Sequence, residues 1–335
     1  MSEIIAEVFR GDLVESLHRG DIAVVDGQGR IVAAVGDPEK VTYMRSSAKP
    51  IQALPVVETG AADAFGLTEE ELAVICASHS AEREHTQVVR GILEKIGLDE
   101  SFLACGVHAP LDEASARLLI LEGKDPSPVH NNCSGKHAGM LAMAVHLGFS
   151  LQDYFLPEHP LQQLILTTMS EMTGLAREQI RIGVDGCGVP VFGLPLWRMA
   201  WAYARMVSPG LEAGRAEAAR RIVTAMTRHP VLVAGHGRFN AELLLKTRGR
   251  VWGKSGAEGV FCLGLPGPGL GVAVKVEDGS SRAIPPAVLE ILQQLGVLTA
   301  EEERELAAFR RPDNTNHRGQ VVGRIQPAFQ LTRSF

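Results

Sequence analysis

The sequence predicts an α/β (α+β) protein: an antiparallel sheet flanked by helices, with a mainly helical part between the sheet's two halves. Three observations carry this reading. Residues near both ends read as strands. The middle of the chain has helical periodicity. The strands of the last third are joined by short glycine-rich turns, which connect antiparallel neighbours, whereas parallel strands need long crossovers. The sheet is assigned to roughly residues 1–40 and 248–330 and the helical part to roughly 45–245, within a single unit of 335 residues.

The elements follow in order. Residues 4–35 read as short strands, with 22–26 and 31–35 forming a hairpin around Gly27-Gln28-Gly29. A helix opens at Ser46 and runs to about residue 58, with Pro55 as a kink point, because proline is tolerated only in a first turn. Thr68 and Glu71 have capping-box spacing ahead of the apolar run 72–77. Helices are expected at about 84–96, 112–121, 140–147 and 160–173. A short strand at 180–184 precedes helices at roughly 191–206, 213–228 and 239–245. Strands at 250–256, 259–264 and 270–276 come next, then helices at 287–295 and 301–309 and a closing strand near 321–325.

Composition narrows the function classes. Hydrophobic residues make up 45% and charged residues 21%, the balance of a soluble, well-cored protein. With a net charge of −6 and a pI near 6.0, the chain has no basic surplus for nucleic acid. It has no Lys/Arg cluster or long apolar run for a membrane. The opening residues lack a charged segment followed by an apolar core, so a cytoplasmic location is expected. Five cysteines without framework spacing suit free thiols in a reducing compartment.

Four polar clusters stand where apolar elements give way to turns, which is where rigid scaffolds place reactive groups. The first is Arg45-Ser46-Ser47-Ala48-Lys49-Pro50. Ser46 and Lys49 share a helical face by their i, i+3 spacing. A helix N-terminus favours a developing alkoxide, and a lysine of lowered pKa can act as its base. A capping serine beside a solvated lysine is the plain alternative. The second is Ser78, at the end of the apolar run, which reads equally as a turn serine. The third is Lys254-Ser255-Gly256, where glycine in a strand marks a close backbone approach or the lysine simply guards a sheet edge. In this order the three match the signatures of the penicillin-recognising serine hydrolases. The fourth joins Cys133-Ser134-Gly135-Lys136-His137 to Asp185-Gly186-Cys187. Its spacing is not that of a zinc knuckle, so either two thiolates bind a metal at an open site or the cysteines are buried and free. His79, His85, His108 and His130 read as surface or hydrogen-bonded histidines rather than ligands.

Together, Arg45-Ser46-x-x-Lys49, Ala77-Ser78-His79, Asn131-Asn132-Cys133-Ser134-Gly135-Lys136-His137, Asp185-Gly186-Cys187-Gly188 and Lys254-Ser255-Gly256-Ala257-Glu258 resemble the Rhizobium etli-type, or class 3, L-asparaginases. The resemblance covers nearly the whole chain, and Asn131–His137 is its most specific stretch. It implies a β-lactamase-like fold and hydrolysis of L-asparagine to L-aspartate and ammonia. It implies two Ser–Lys pairs, Ser46 with Lys49 and Ser78 with Lys254. It also implies zinc held by Cys133, Lys136 and Cys187 beside the substrate, and a homodimer. Ser46 is preferred to Ser47 as nucleophile because only Ser46 stands three residues before Lys49. By charge and motif position, Asp185 is expected to hold the substrate α-ammonium and Arg45 or His137 its α-carboxylate. The alternatives are a glutaminase or other serine amidase, or a silent protein that binds zinc or an amino acid.

Overall fold

The first 35 residues form strands β1 (Glu3–Arg10), β2 (Leu13–Asp26) and β3 (Ile31–Val35) in the computed structural model, which describes residues 1–208 and 210–333. The remaining strands among the described residues are β4 (Val41–Tyr43), β5 (Arg181–Val184), β6 (Pro190–Pro195), β7 (Trp252–Gly256), β8 (Val260–Leu265), β9 (Leu270–Val276), β10 (Asp313–Thr315), β11 (Val321–Pro327) and β12 (Thr332–Arg333). The expected α/β class with an antiparallel sheet is what the chain forms.

The chain divides into two units. Met1–Ser47, Leu194–Ser208 and Glu242–Phe335 make the first. Its sheet runs in the order β10-β11-β1-β2-β9-β8-β7, with β3 pairing both β2 and β12. β2 extends to 14 residues because its two halves have different tasks. The first half pairs with β1, and residues from Gly20 onward pair with β9, from Gly20 opposite Val276 to Asp26 opposite Leu270. β3 covers the other side of that second half, and every residue from Gly20 to Asp26 is buried. The helix Leu196–Val207 lies on β2, β8 and β9. A Cβ on Gly271 would stand 1.8 Å from the Ala200 carbonyl oxygen, so only glycine admits the helix this close. The Tyr203 ring stacks on Trp252 at 4.7 Å between centroids. Helix Ile284–Gln294 packs on β1, β8, β9 and β11. β8 is buried at all six positions, and each Val, Leu or Phe so covered contributes about 1.5–3 kcal/mol.

Ala48–Gly193 and Pro209–Ala241 make the second unit, which is mainly helical. Its centre is the helix Ser134–Leu147, buried at every position from Ser134 to Ala144, which is the pattern of a helix enclosed on all sides. It packs against Glu69–Ile75 through Gly135 and Gly139. The Glu69–Ile75 helix opens on the expected capping box: Glu71 N donates to Thr68 Oγ1 at 3.3 Å, and Thr68 N donates to Glu71 Oε2 at 2.7 Å. β5 and β6 form a hairpin, Arg181 opposite Gly193 and Val184 opposite Pro190, whose turn carries Asp185 and Cys187.

Four expectations are corrected. The helix from Ser46 to residue 58 is three pieces: a 3-10 turn Arg45–Ala48 and helices Lys49–Gln52 and Leu54–Glu58. Pro50 and Pro55 each stand second in a helix, in the first turn, because neither can donate a backbone hydrogen bond to the preceding turn. Residues 190–195 are strand β6, and the helix starts only after Pro195. The helix at 301–309 breaks at Leu306 into Ala300–Glu305 and Ala307–Arg310. The N-terminal strands are not all short, since β2 gains length from two partners. Among the described residues no helix is long and apolar enough to cross a membrane.

Candidate active site

In the helical unit, Lys49 is 1% exposed and its ammonium is surrounded by oxygen. Nζ donates to the Ala77 carbonyl, to Ser78 Oγ at 3.1 Å and to the Asn132 carbonyl at 3.3 Å. These contacts match the three donors of an ammonium. Ser78 lies just beyond the helix Glu69–Ile75, and its backbone N donates to Val233 O at 3.0 Å. Asn131 shapes the opposite side of the cage. Its Oδ1 accepts from Cys133 N at 2.8 Å and its Nδ2 donates to Cys105 O at 2.8 Å, which fixes the turn that presents the Asn132 carbonyl.

Cys133, the N-cap of helix Ser134–Leu147, is buried with Lys136 and Cys187. Lys136 Nζ lies 3.0 Å from Cys187 Sγ. A hydrogen bond from Cys187 holds the Cys133 thiol well below the ordinary thiol range, with the positive charges of Lys49 and Lys136 adding to it against burial. Sharing that hydrogen with Cys133, and burial, push Cys187 up. Burial works to lower Lys136, but the charges of Cys133, Cys187 and Asp185 outweigh it and hold the ammonium above the ordinary lysine range. The two thiols therefore share a hydrogen bond beside the Lys136 ammonium. Two sulfurs and one amine nitrogen that converge in a buried site make a donor set that fits a borderline-soft cation such as zinc, with a coordination position to spare. Asp185, half-buried, places Oδ2 3.9 Å from Cys187 Sγ. His137 is fully buried, with Nδ1 2.6 Å from Tyr154 OH, and burial holds its pKa well below the usual imidazole range.

In the sheet unit, the 3-10 turn Arg45–Ala48 carries the other candidates. Arg45 takes a left-handed φ of 51°, a costly conformation for a non-glycine residue that is concentrated at functional sites. A Cβ on Gly256 would stand 2.7 Å from Met44 O, so this glycine admits the turn to the end of β7. Ser46 is half-buried. Ser47 is fully buried, with Oγ donating to Met44 O at 2.7 Å and accepting from Cys262 Sγ at 3.5 Å, while Tyr203 OH donates to Ser47 O at 2.7 Å. Arg45 lies 3.9 Å from Glu258. Lys254 is fully buried, and its Nζ donates to Ser255 O at 2.8 Å.

The structure thus gathers Lys49 with Ser78, and Cys133 with Lys136, Cys187 and Asp185. Ser46, Arg45 and Lys254 belong to the other unit. Several participants carry no assigned role in the sequence analysis. Asn132 acts through its carbonyl, which side-chain chemistry cannot signal. Tyr154 and Glu258 are distant in sequence from the residues they meet. Position within Asn131–His137, and directly after Lys254-Ser255-Gly256-Ala257, was the available signal for Asn132 and Glu258.

Comparison with known proteins completes the site's context. The chain belongs to the L-asparaginase II family, whose profile matches residues 6–327. A comparison with curated proteins finds no match. Among solved structures, similarity is distant. Mglu in its tris and glutamate form is 14% identical with a TM-score of 0.39, over 83% of this chain and 59% of that one. The chain therefore spans about three-fifths of that protein's length. A putative beta-lactamase from Bacteroides dorei is 12% identical with a TM-score of 0.42, over 82% of this chain and 93% of that one. A beta-lactamase from Mycobacterium bovis is 13% identical with a TM-score of 0.41, over 87% and 95%.

Proposed function

We propose that the chain is an L-asparaginase of the Rhizobium etli type, hydrolysing L-asparagine to L-aspartate and ammonia with Ser46 as nucleophile. The observation that carries this reading is the family match along residues 6–327. The 3.1 Å contact of Lys49 Nζ with Ser78 Oγ supports the serine–lysine chemistry, since a hydroxyl reacts or relays a proton only with a base in hydrogen-bond reach. In this reading Ser46 Oγ attacks the side-chain amide carbon. Its proton passes to a lysine amine, Lys49 or Lys254, and then to the leaving ammonia. Water cleaves the acyl-enzyme by the reverse proton path. To accept a proton, Lys49 must first give up one of its three donations. Backbone N–H groups near Ser46 stabilise the oxyanion, a contribution of about 3 kcal/mol per donor. Asp185 takes the α-ammonium and Arg45 or His137 the α-carboxylate. Cys133, Lys136 and Cys187 would hold zinc, with Lys136 giving up its proton to do so. When bound, the metal would supply positive charge that orients the amide substrate. The protein acts as a cytoplasmic homodimer.

The test is ammonia release from asparagine and glutamine, measured side by side on purified protein. Asparagine is expected to be the better substrate, and Ser46→Ala is expected to lower kcat by about a thousandfold or more. Full activity in Ser46→Ala would remove Ser46 from the mechanism. Sedimentation at increasing protein concentration reads the dimer.

A further inference from the structure

By sequence His79 reads as a surface or hydrogen-bonded histidine. Its surroundings give it a specific task. The ring is fully buried and makes two hydrogen bonds, one of them to a Ser134 hydroxyl that donates onward in a third. Ser134 Oγ donates to Val129 O at 2.9 Å, which uses that hydroxyl's single proton. The 2.9 Å contact between Ser134 Oγ and His79 Nε2 must then be a donation from the ring. Ala81 N donates to His79 Nδ1 at 3.2 Å, so that nitrogen is the acceptor. The network thus fixes one neutral tautomer, with the proton on Nε2. Burial, followed by the nearby charge of His85 and Lys49, pushes the His79 pKa well below the usual imidazole range and holds the same neutral state. His85 stacks on the ring at 5.2 Å and 15°, itself anchored by Nε2 to Val231 O at 2.9 Å.

The two ends of this tie lie next to the oxygens around Lys49. His79 follows Ala77 and Ser78, which supply a carbonyl and a hydroxyl. Ser134 follows Asn132, which supplies the other carbonyl. The backbone on the His79 side is held under strain, since Ala81 has a left-handed φ of 63°, a conformation a β-carbon disfavours and one that its contact with Nδ1 helps to retain.

We propose that His79 is a positioning residue: by donating to Ser134 it locks the Ala77–Ser78 segment to the Asn131–Ser134 turn and so sets the geometry between Lys49 and Ser78. This rests on the proposed serine–lysine hydrolysis. Neither His79 nor Ser134 touches the reacting atoms.

The test compares His79→Ala, His79→Gln, Ser134→Ala and the double alanine variant. His79→Ala is expected to lower kcat by ~10–100-fold with KM changed less than about threefold, the size expected when a catalytic pair is misplaced by about an ångström. His79→Gln, whose amide can donate to Ser134 and accept from Ala81, is expected to recover most of the loss. The double variant is expected to be no slower than the slower single one. Equal losses in the Gln and Ala variants, or losses that multiply in the double variant, would overturn the tie. Nitrogen-15 NMR of the wild-type His79 ring provides a reading that does not depend on turnover. An exchange-protected Nε2 proton that disappears in Ser134→Ala supports the tie, and a ring that titrates with solvent overturns it. If the wild-type protein releases no ammonia, the hydrolytic reading fails on its own and the NMR result alone decides the tie.

Discussion

Lys136 meets Cys187 at 3.0 Å in a buried cluster whose two thiols share a hydrogen bond. In the proposed zinc site, three donors that already converge would lose little freedom when a cation binds, so each would contribute to affinity. Cys187→Ser is expected to weaken zinc binding by about 10–100-fold, read by competition with a chromophoric chelator. Unchanged affinity would exclude Cys187 from the metal site. The Arg45–Glu258 pair makes a different case. Glu258 is 68% exposed and the separation is 3.9 Å, so the pair is worth about 0–1 kcal/mol. Glu258→Gln should therefore leave the urea midpoint nearly unchanged. A large loss of stability would show that Glu258 does more than pair with Arg45. At this scale the sequence exposed the reactive groups, because serine, lysine and cysteine announce their chemistry. It could not expose the Asn132 carbonyl or the proton on His79, which follow from folded geometry.

Helix Ser134–Leu147 approaches Glu69–Ile75 through two glycines with different tolerance. A Cβ on Gly135 would stand 2.1 Å from Val74 O, a backbone atom that cannot swing aside. On Gly139 it would meet Ile75 Cγ2 at 2.8 Å, a side chain that can move. Gly135→Ala should cost about 3 kcal/mol and Gly139→Ala about 1 kcal/mol by urea unfolding. Equal costs would mean that the helices separate as a whole. Thr68→Ala, which removes the capping oxygen at Glu71 N, should cost about 1 kcal/mol. Helix Pro160–Thr173 and the capping box were legible because periodicity and caps are local signals. The strand at Pro190–Pro195 was not. A short apolar run fits a buried strand or a helix equally well, and the hairpin partner that decides, β5, is a tertiary fact.

At the scale of the molecule, buried histidines set an acid limit. Burial keeps His79 and His85 below their ordinary pKa. In the unfolded chain each takes up a proton below about pH 6.5. The unfolded state then holds more protons, so stability falls as pH drops through that value towards the lower folded pKa, by up to about 1.4 kcal/mol per pH unit for each ring. The urea midpoint should fall between about pH 7 and pH 5, and His79→Gln should flatten part of the slope. A midpoint independent of pH in that range would show that neither ring stays neutral. The class of fold was legible because strands flank helices along the chain. The full sheet order was not, since it depends on pairings such as β1 with β11 that join opposite ends of the sequence.

The long strand β2 has a consequence for how the protein is made. Its second half is paired on one side by β9, which follows about 250 residues later. On a ribosome adding ~5–20 residues per second, that partner emerges roughly 10–50 s after β2 itself. Throughout that interval Ile22 to Val25, an apolar edge, wait without their neighbour. Most of the helical unit, residues 48–193, emerges within the same interval. The nascent chain thus exposes an unpaired apolar strand edge for tens of seconds, a state that favours misassociation with other chains until β9 arrives.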